Sequence, residues 1–255
     1  ANLNQKLYYH KLGTPQSEDR LVYKNDEEPK WGFWGEVSDD GNYLVVSIRQ
    51  GTLRQFNITL INLKDPAAEP IELMTGFRAI YGYVGNVGDT YYFFSNDDAP
   101  MNCVIAVNIT NPARENWKIA VPEQKETLEH VSLVSGKFLC TYVKDAQSVL
   151  RVYDDQGILV DEPDAPGMGT ITGFGGSPED RDVFFHYASY ATPGTIYRYD
   201  VVAQQVELFR APQLNFNPDD YVTKQVFYPS KDSTMIPMFI SHRKDLEISA
   251  ETPVH

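Results

Sequence analysis

Serine, histidine, cysteine and carboxylate side chains are the ones that could do chemistry in this chain, and their spacing argues against it. Ser177 lies in Gly175-Gly176-Ser177-Pro178-Glu179, the closest string to the Gly-x-Ser-x-Gly elbow that lifts a nucleophile onto a strand-to-helix turn. A polar tip placed directly before an aromatic run reads instead as a hairpin turn. The five histidines, His10, His130, His186, His242 and His255, show no i, i+4 pairing and no accompanying cysteine pair, so a zinc site has no support. Gly173-Phe174-Gly175-Gly176 is followed neither by Lys-Ser/Thr nor by a helix start, which a phosphate loop requires. Asp39-Asp40 and Asp97-Asp98 fall in predicted hairpin loops, where adjacent carboxylates are expected to be solvated turn formers. Catalysis is not encoded in these residues, and neither a cofactor nor a metal is implied.

Cys103 and Cys140, the only two cysteines, stand in apolar strand-like runs without a C-x-x-C spacing and read as buried free thiols. Asn57-Ile58-Thr59 and Asn108-Ile109-Thr110 match the glycosylation sequon but fall in predicted strands. Acidic residues outnumber basic ones by 35 to 22, for a net charge of -13. That is the wrong sign for binding a phosphate backbone, so nucleic acid is not an expected partner. No run approaches the roughly 18 apolar residues of a membrane span, so no membrane partner is expected. Ala1-Asn2-Leu3-Asn4-Gln5-Lys6 has no charged-then-apolar leader pattern. A cytoplasmic protein is expected, with a leader on a longer parent left open.

The elements that would carry these residues repeat. Turns at Asp40-Gly41-Asn42, Val87-Gly88-Asp89, Ser135-Gly136-Lys137 and Asp180-Arg181-Asp182 each precede an apolar, aromatic-rich run, and the three glycines are 47 and 48 residues apart. A period of this size, filled with short strands, is the pattern of propeller blades, each a four-stranded sheet that needs neighbours to cover both faces. Alternation places the first repeat at 32–37, 43–49, 55–63 and 70–74, with Lys64-Asp65-Pro66 as a turn. The second starts near Ala79 and uses 91–94, 104–109 and 117–121. The third uses 128–133, 138–143, 149–153 and 158–160, and the fourth 170–174, 183–187, 195–199 and 206–209.

Leu7 to Leu12 is left over as one extra outer strand, and the period breaks after Leu214 at a polar linker. A hairpin follows, with strands Lys224–Tyr228 and Ile236–His242. The expected fold is therefore all-β: a partial β-propeller over residues 1–214, then a linker and hairpin over 215–255 that open a different domain. Exposed blade faces predict self-association.

Several strings together resemble the prolyl oligopeptidase family of serine peptidases. They are Lys6-Leu7-Tyr8-Tyr9-His10-Lys11-Leu12-Gly13-Thr14, Glu36-Val37-Ser38-Asp39-Asp40-Gly41 with Ser47-Ile48-Arg49-Gln50-Gly51, Ser189-Tyr190-Ala191-Thr192-Pro193-Gly194-Thr195-Ile196-Tyr197, and Gln225-Val226-Phe227-Tyr228-Pro229-Ser230-Lys231-Asp232 with Ile236-Pro237-Met238-Phe239-Ile240. They occur in the family's order along almost the whole chain. The resemblance implies a seven-bladed parent propeller that caps an α/β-hydrolase domain, admits short peptides and excludes folded proteins. The hairpin would re-enter the hydrolase domain, and the serine, histidine and aspartate of the acyl-transfer machinery would lie past residue 255. On this reading the chain is an inactive fragment of a post-proline-cleaving endopeptidase.

The resemblance further implies peptide contacts at Arg49, Trp31 and Thr52, with Arg49 facing inward toward the peptide on the N-terminal side of the cut. A guanidinium suits peptide carbonyls; a strand-end arginine paired with a local carboxylate is the plainer reading, and both stand at this point. Gly32 falls where the vertebrate pattern has a subsite methionine and Thr52 where it has a cysteine, which implies a more open or more polar subsite. Cys103 falls where the family commonly has an arginine, and Ser233 replaces a usual turn glycine. Two partners follow: short proline-containing peptides and the hydrolase domain of the same parent. A propeller-type binding module without catalysis is the alternative from another class, and an oligopeptidase preferring basic residues is a further reading within the family.

Overall fold

The computed structural model describes residues 3–65, 67–249 and 251–253, so Pro66 of the predicted turn, His255 and the Ala1-Asn2 start lie outside the described residues. Strands carry the chain. Among the described residues the only helical pieces are three-residue 3₁₀ turns at Gln16–Glu18, Arg114–Asn116 and Pro218–Asp220. Two compact units form, Ala1–Leu128 with Asp155–Ile158, and Glu129–Asp154 with Leu159–His255.

In the first unit a hairpin of β1 (Lys6–Tyr9) and β2 (Arg20–Lys24) is followed by a sheet of β3 (Trp31–Val37), β4 (Tyr43–Gln50), β5 (Phe56–Asn62) and β6 (Ile71–Met74). A second sheet contains β7 (Tyr81–Val87), β8 (Thr90–Ser95), β9 (Cys103–Asn108) and β10 (Lys118–Val121). A third sheet, which begins at the boundary between the units, contains β11 (Thr127–Val134), β12 (Lys137–Lys144), β13 (Gln147–Tyr153) and β14 (Leu159–Asp161). The fourth contains β15 (Thr170–Gly175), β16 (Asp182–Ala188), β17 (Thr195–Asp200) and β18 (Gln205–Arg210), and a final hairpin pairs β19 (Tyr221–Pro229) with β20 (Met235–Arg243). Each four-stranded sheet is an antiparallel meander in chain order.

The sixteen strands expected from alternation are present to within two residues. One expectation is corrected. The leftover strand at the start is not single: it is shorter than Leu7 to Leu12, and Arg20–Lys24 pairs with it. Pairing slips between Leu7, opposite Tyr23, and Tyr8, opposite Leu21. Arg20–Lys24 precedes the first repeat, so no recurring spacing pointed to it.

Two faces of one strand explain why the sheets stack. On β4, Val45 joins Ile58, Leu60, Tyr91, Phe93 and Val107 in a core shared with the second sheet. Its neighbours Val46 and Ile48 point the other way and pack with Phe33, Leu7 and Tyr23. β16 alternates in the same manner. Val183, Phe185 and Tyr187 are buried with Phe174 and Tyr199, while Phe184 and His186 face out. Each fully buried leucine, isoleucine or phenylalanine contributes about 1.5–3 kcal/mol relative to exposure, so the packing between sheets outweighs any single ladder.

The recurring turns have a local cause. Ser38, Asp40 and Asn42 close the first one: Asp40 Oδ1 accepts from Ser38 Oγ at 2.7 Å and from the Asn42 N–H at 3.0 Å. Gly41 supplies a φ of 68°. Between β11 and β12, Ser135 and Gly136 both take positive φ (48° and 69°), as a two-residue hairpin turn twisted to match its strands requires.

The last hairpin is tied to the third and fourth sheets of its own unit. Gln225 on β19 donates to the Asp145 carbonyl at 2.5 Å and accepts from Gln147 at 2.8 Å, while the Tyr190 ring lies 5.4 Å from that of Phe239 on β20.

Candidate substrate-contact site

Trp31, Arg49 and Thr52 all lie at one end of the first sheet, where β3 begins and β4 ends. The β3–β4 register sets Trp31 opposite Gln50, Gly32 opposite Arg49 and Trp34 opposite Ser47. Because alternate residues share a face, Gly32, Trp34, Ser47 and Arg49 lie on one face and Trp31 on the other. Arg49 is exposed, and its guanidinium carbon stands 4.3 Å from the centre of the Trp34 ring, itself 45% exposed. The residue opposite Arg49 is a glycine, so the side chain can lie diagonally across the ribbon to reach Trp34. A Cβ at Gly32 would come within 3.7 Å of Arg49 Cγ and Nε and within 2.9 Å of Gln5 Oε1, while Gln5 Nε2 holds the adjacent Phe33 carbonyl at 2.9 Å.

Trp31 turns the opposite way. Its ring meets Phe77 edge-on at 5.1 Å and 78°, and its Nε1–H is buried without a hydrogen-bond partner among the described residues. Thr52 is an exposed turn residue just beyond β4. The three positions therefore share one end of the sheet but not one face, and among the described residues Arg49 contacts an aromatic ring rather than a carboxylate.

The other chemistry-bearing residues fall into structural roles. The Ser177 N–H donates to Asp180 Oδ2 at 2.7 Å, and the Asp180 N–H returns to the Ser177 carbonyl at 3.0 Å, a closed turn. Asp39 bonds Asn86 in both directions, accepting its N–H at 3.2 Å and donating its own to Oδ1 at 3.0 Å. Asp97-Asp98 corrects the expectation of two solvated carboxylates. The Asp97 side chain is only 4% exposed. It accepts from Arg78 Nε, Arg114 Nη2 and Tyr81 Oη, each at 2.7 Å. Burial alone would raise its pKa, but these three donors overcome that and hold the carboxyl below its ordinary range.

Both cysteines are buried and free. Burial pushes the Cys103 thiol up to about 11 and raises that of Cys140 as well, so neither is a ready nucleophile. Ser132 Oγ lies 3.2 Å from His130 Nε2. No carboxylate bonds this histidine among the described residues, and Gly175 packs so closely that a Cβ there would stand 2.1 Å from Ser132 Oγ. The orienting third group of a triad is missing. Among the described residues no cluster of three or more His, Cys, Asp or Glu side chains could hold a metal, and no helix is long and apolar enough to cross a membrane.

Sequence reasoning missed Trp34, Phe77 and Asn57. Trp34 could have been found, because the period of 2 places it on the Arg49 face. Phe77 could not, since its backbone has φ 47°, a left-handed conformation that no propensity assigns to phenylalanine.

Consecutive four-stranded antiparallel meanders, stacked face to face within each unit with aromatic cores between them, define a β-propeller type of domain, here a partial one. Comparison with known proteins gives the family. Residues 1–212 match the model described as "Prolyl oligopeptidase, N-terminal beta-propeller domain", and the chain belongs to that family. It is 38% identical over 250 residues to the prolyl endopeptidase of Elizabethkingia meningoseptica, covering 97% of this chain and 35% of that protein. To the prolyl endopeptidase of Dictyostelium discoideum it is 33% identical, covering 98% of this chain and again 35% of that protein.

Among solved structures, one from a study of two prolyl endopeptidases and their inter-domain dynamics superimposes with a TM-score of 0.84 at 33% identity, covering 95% of this chain and 35% of that one. Prolyl oligopeptidase B of Galerina marginata in its apo form also gives 0.84, at 28% identity, covering 96% of this chain and 36% of that one. The chain thus spans about a third of the length of the relatives it matches.

Proposed function

We propose that this chain is the substrate-gating propeller portion of a serine endopeptidase that cleaves short peptides after proline. In this reading residues 1–214 are propeller blades and 215–255 lead into a hydrolase domain, whose serine nucleophile and histidine base act in acyl transfer. Two observations support the division: the family match ends at residue 212, and among the described residues β19 and β20 pair only with each other. The propeller acts sterically, since an extended peptide reaches an enclosed nucleophile after domain opening and a folded domain does not.

The observation that carries a direct role in peptide binding is Arg49. Its exposed guanidinium is held over the Trp34 ring at the end of a strand where the facing residue, Gly32, has no side chain to block it. It presents several N–H donors in a fixed plane, suited to the carbonyls of a bound peptide. Gly32 and Thr52 put no large apolar side chain beside it, the Gln5 side-chain amide packs over Gly32, and Trp31 forms the apolar back of the same sheet end.

A length and folding test decides the gating role. The full-length protein should cleave a proline-containing peptide and leave the same sequence intact when it is embedded in a stably folded domain. Equal cleavage of both would overturn steric gating.

A further inference from the structure

The connection between β6 and β7 supplies residues that the peptide-contact reading lacks. Gly76 and Phe77 both take positive φ, 81° and 47°. For a bulky side chain this backbone conformation is strained and persists only where the surroundings impose it. They do so here. Asn57, itself buried, accepts the Phe77 N–H at 2.7 Å, and the Phe56 N–H donates to the Ala79 carbonyl at 3.0 Å. Phe56 is the residue directly across from Arg49 on the β4–β5 ladder. The strap is therefore stitched to the same sheet end that presents Arg49.

Its two middle side chains go to different places. The Phe77 ring wedges against Trp31 at 5.1 Å within the cluster of Phe33 and Ile48. Arg78 reaches the Asp97 carboxylate at 2.7 Å, and two residues on the Ile80 amide donates to Asn96 Oδ1 at 2.8 Å. One end of the strap is fixed to the first sheet and the other to the second. The strained residue between them presses on the first residue of β3, adjacent to Gly32, the partner of Arg49.

We infer that Phe77, held left-handed by Asn57, is a positioning residue for peptide binding at Arg49. Through Trp31 it fixes the start of β3, and through the Phe56–Ala79 hydrogen bond the strap fixes the strand opposite Arg49, so the guanidinium is preorganised on Trp34 before a peptide arrives. Losing the wedge weakens ground-state binding of the peptide and leaves the chemical step alone. The inference rests on the peptide-contact reading of Arg49, and the experiment separates the two.

The informative variant is Phe77→Gly in the full-length protein. Glycine accepts positive φ without strain, so the variant removes the ring while easing the backbone. Phe77→Leu, which keeps an apolar wedge, is the conservative control, and thermal melts establish that both fold. With a Gly-Pro reporter extended on the N-terminal side of the cut, Phe77→Gly should raise KM about fivefold with kcat within about twofold, and Phe77→Leu should restore most of the loss. Arg49→Ala should raise KM about tenfold, and adding Phe77→Gly to it should cost less than about a further twofold, because both act on one contact.

Unchanged KM in Phe77→Gly beside a raised KM in Arg49→Ala would overturn the positioning role and leave the contact standing. Fully multiplicative losses would overturn it too. Unchanged KM in Arg49→Ala would remove the contact and the positioning role together.

Discussion

The Arg49 guanidinium lies 4.3 Å above the ring of Trp34, two residues along β3 from the glycine that faces it in register. A cation on an exposed indole gains about 0.5–1 kcal/mol. More importantly for binding, the planar side chain is held in one orientation before the peptide arrives. Trp34→Ala in the full-length protein should therefore raise KM for a short proline-containing peptide about two- to fivefold with kcat nearly unchanged. Steady-state kinetics checks this, and a KM equal to that of wild type would show that the stacking does not prepare Arg49.

The Asp97 cluster gives a signed pH dependence. Its carboxyl pKa is lowered in the folded protein, so the stability it contributes is fully present above the ordinary carboxylate range, near 4. That stability is lost as pH falls through the depressed folded value. Asp97→Asn should cost about 2 kcal/mol at pH 7, since Arg78, Arg114 and Tyr81 lose a charged acceptor. The gap to wild type should narrow as pH drops below about 4. Urea unfolding of both proteins across this range measures it, and a gap independent of pH would contradict the assignment.

Cys103 and Cys140 are both buried with raised thiol pKa values. In the folded protein at pH 8 neither should react with an aromatic disulfide reagent within minutes, and both should react at once in denaturant. Rapid labelling of one thiol in the native state would show that its strand opens readily.

Apolar surface is exposed in both units. In the first, Leu7, Tyr8, Tyr9, Leu21, Leu44 and Leu63 line a groove of 410 Å³. In the second, Phe184 and Phe209 pair at 4.8 Å while each remains more than 40% exposed. Isolated as 255 residues, the chain should self-associate through such faces. Multi-angle light scattering over a tenfold concentration range tests this, and a single monomer mass throughout would count against it.

Much of the fold was legible because the blade pattern is local. Short apolar runs are bounded by turns that carry their own glycine or aspartate, and the spacing repeats, so β3 to β18 could be placed from residues alone. The β1–β2 hairpin was half missed because Arg20–Lys24 precedes the first repeat, where no recurring spacing marks a strand.

The candidate site was legible only in part. Arg49 and Trp31 were singled out through resemblance, but that their side chains diverge to opposite faces follows from register. Trp34, Phe77 and Asn57 matter through contacts across the sheet and the strap, and Asp97 through donors 16 to 19 residues away. Charge pairing over such distances leaves no mark on a local pattern, which is why Asp97 read as a solvated turn former.

Hydrolysis of a Gly-Pro reporter, measured side by side for this 255-residue chain and for the longer protein that contains it, tests the division of labour most directly. The expected result is turnover by the longer protein, abolished by a serine-directed reagent, and none by the 255 residues. Serine-reagent-sensitive turnover by the 255 residues, or none by the longer protein, would contradict a gating propeller attached to a separate catalytic domain.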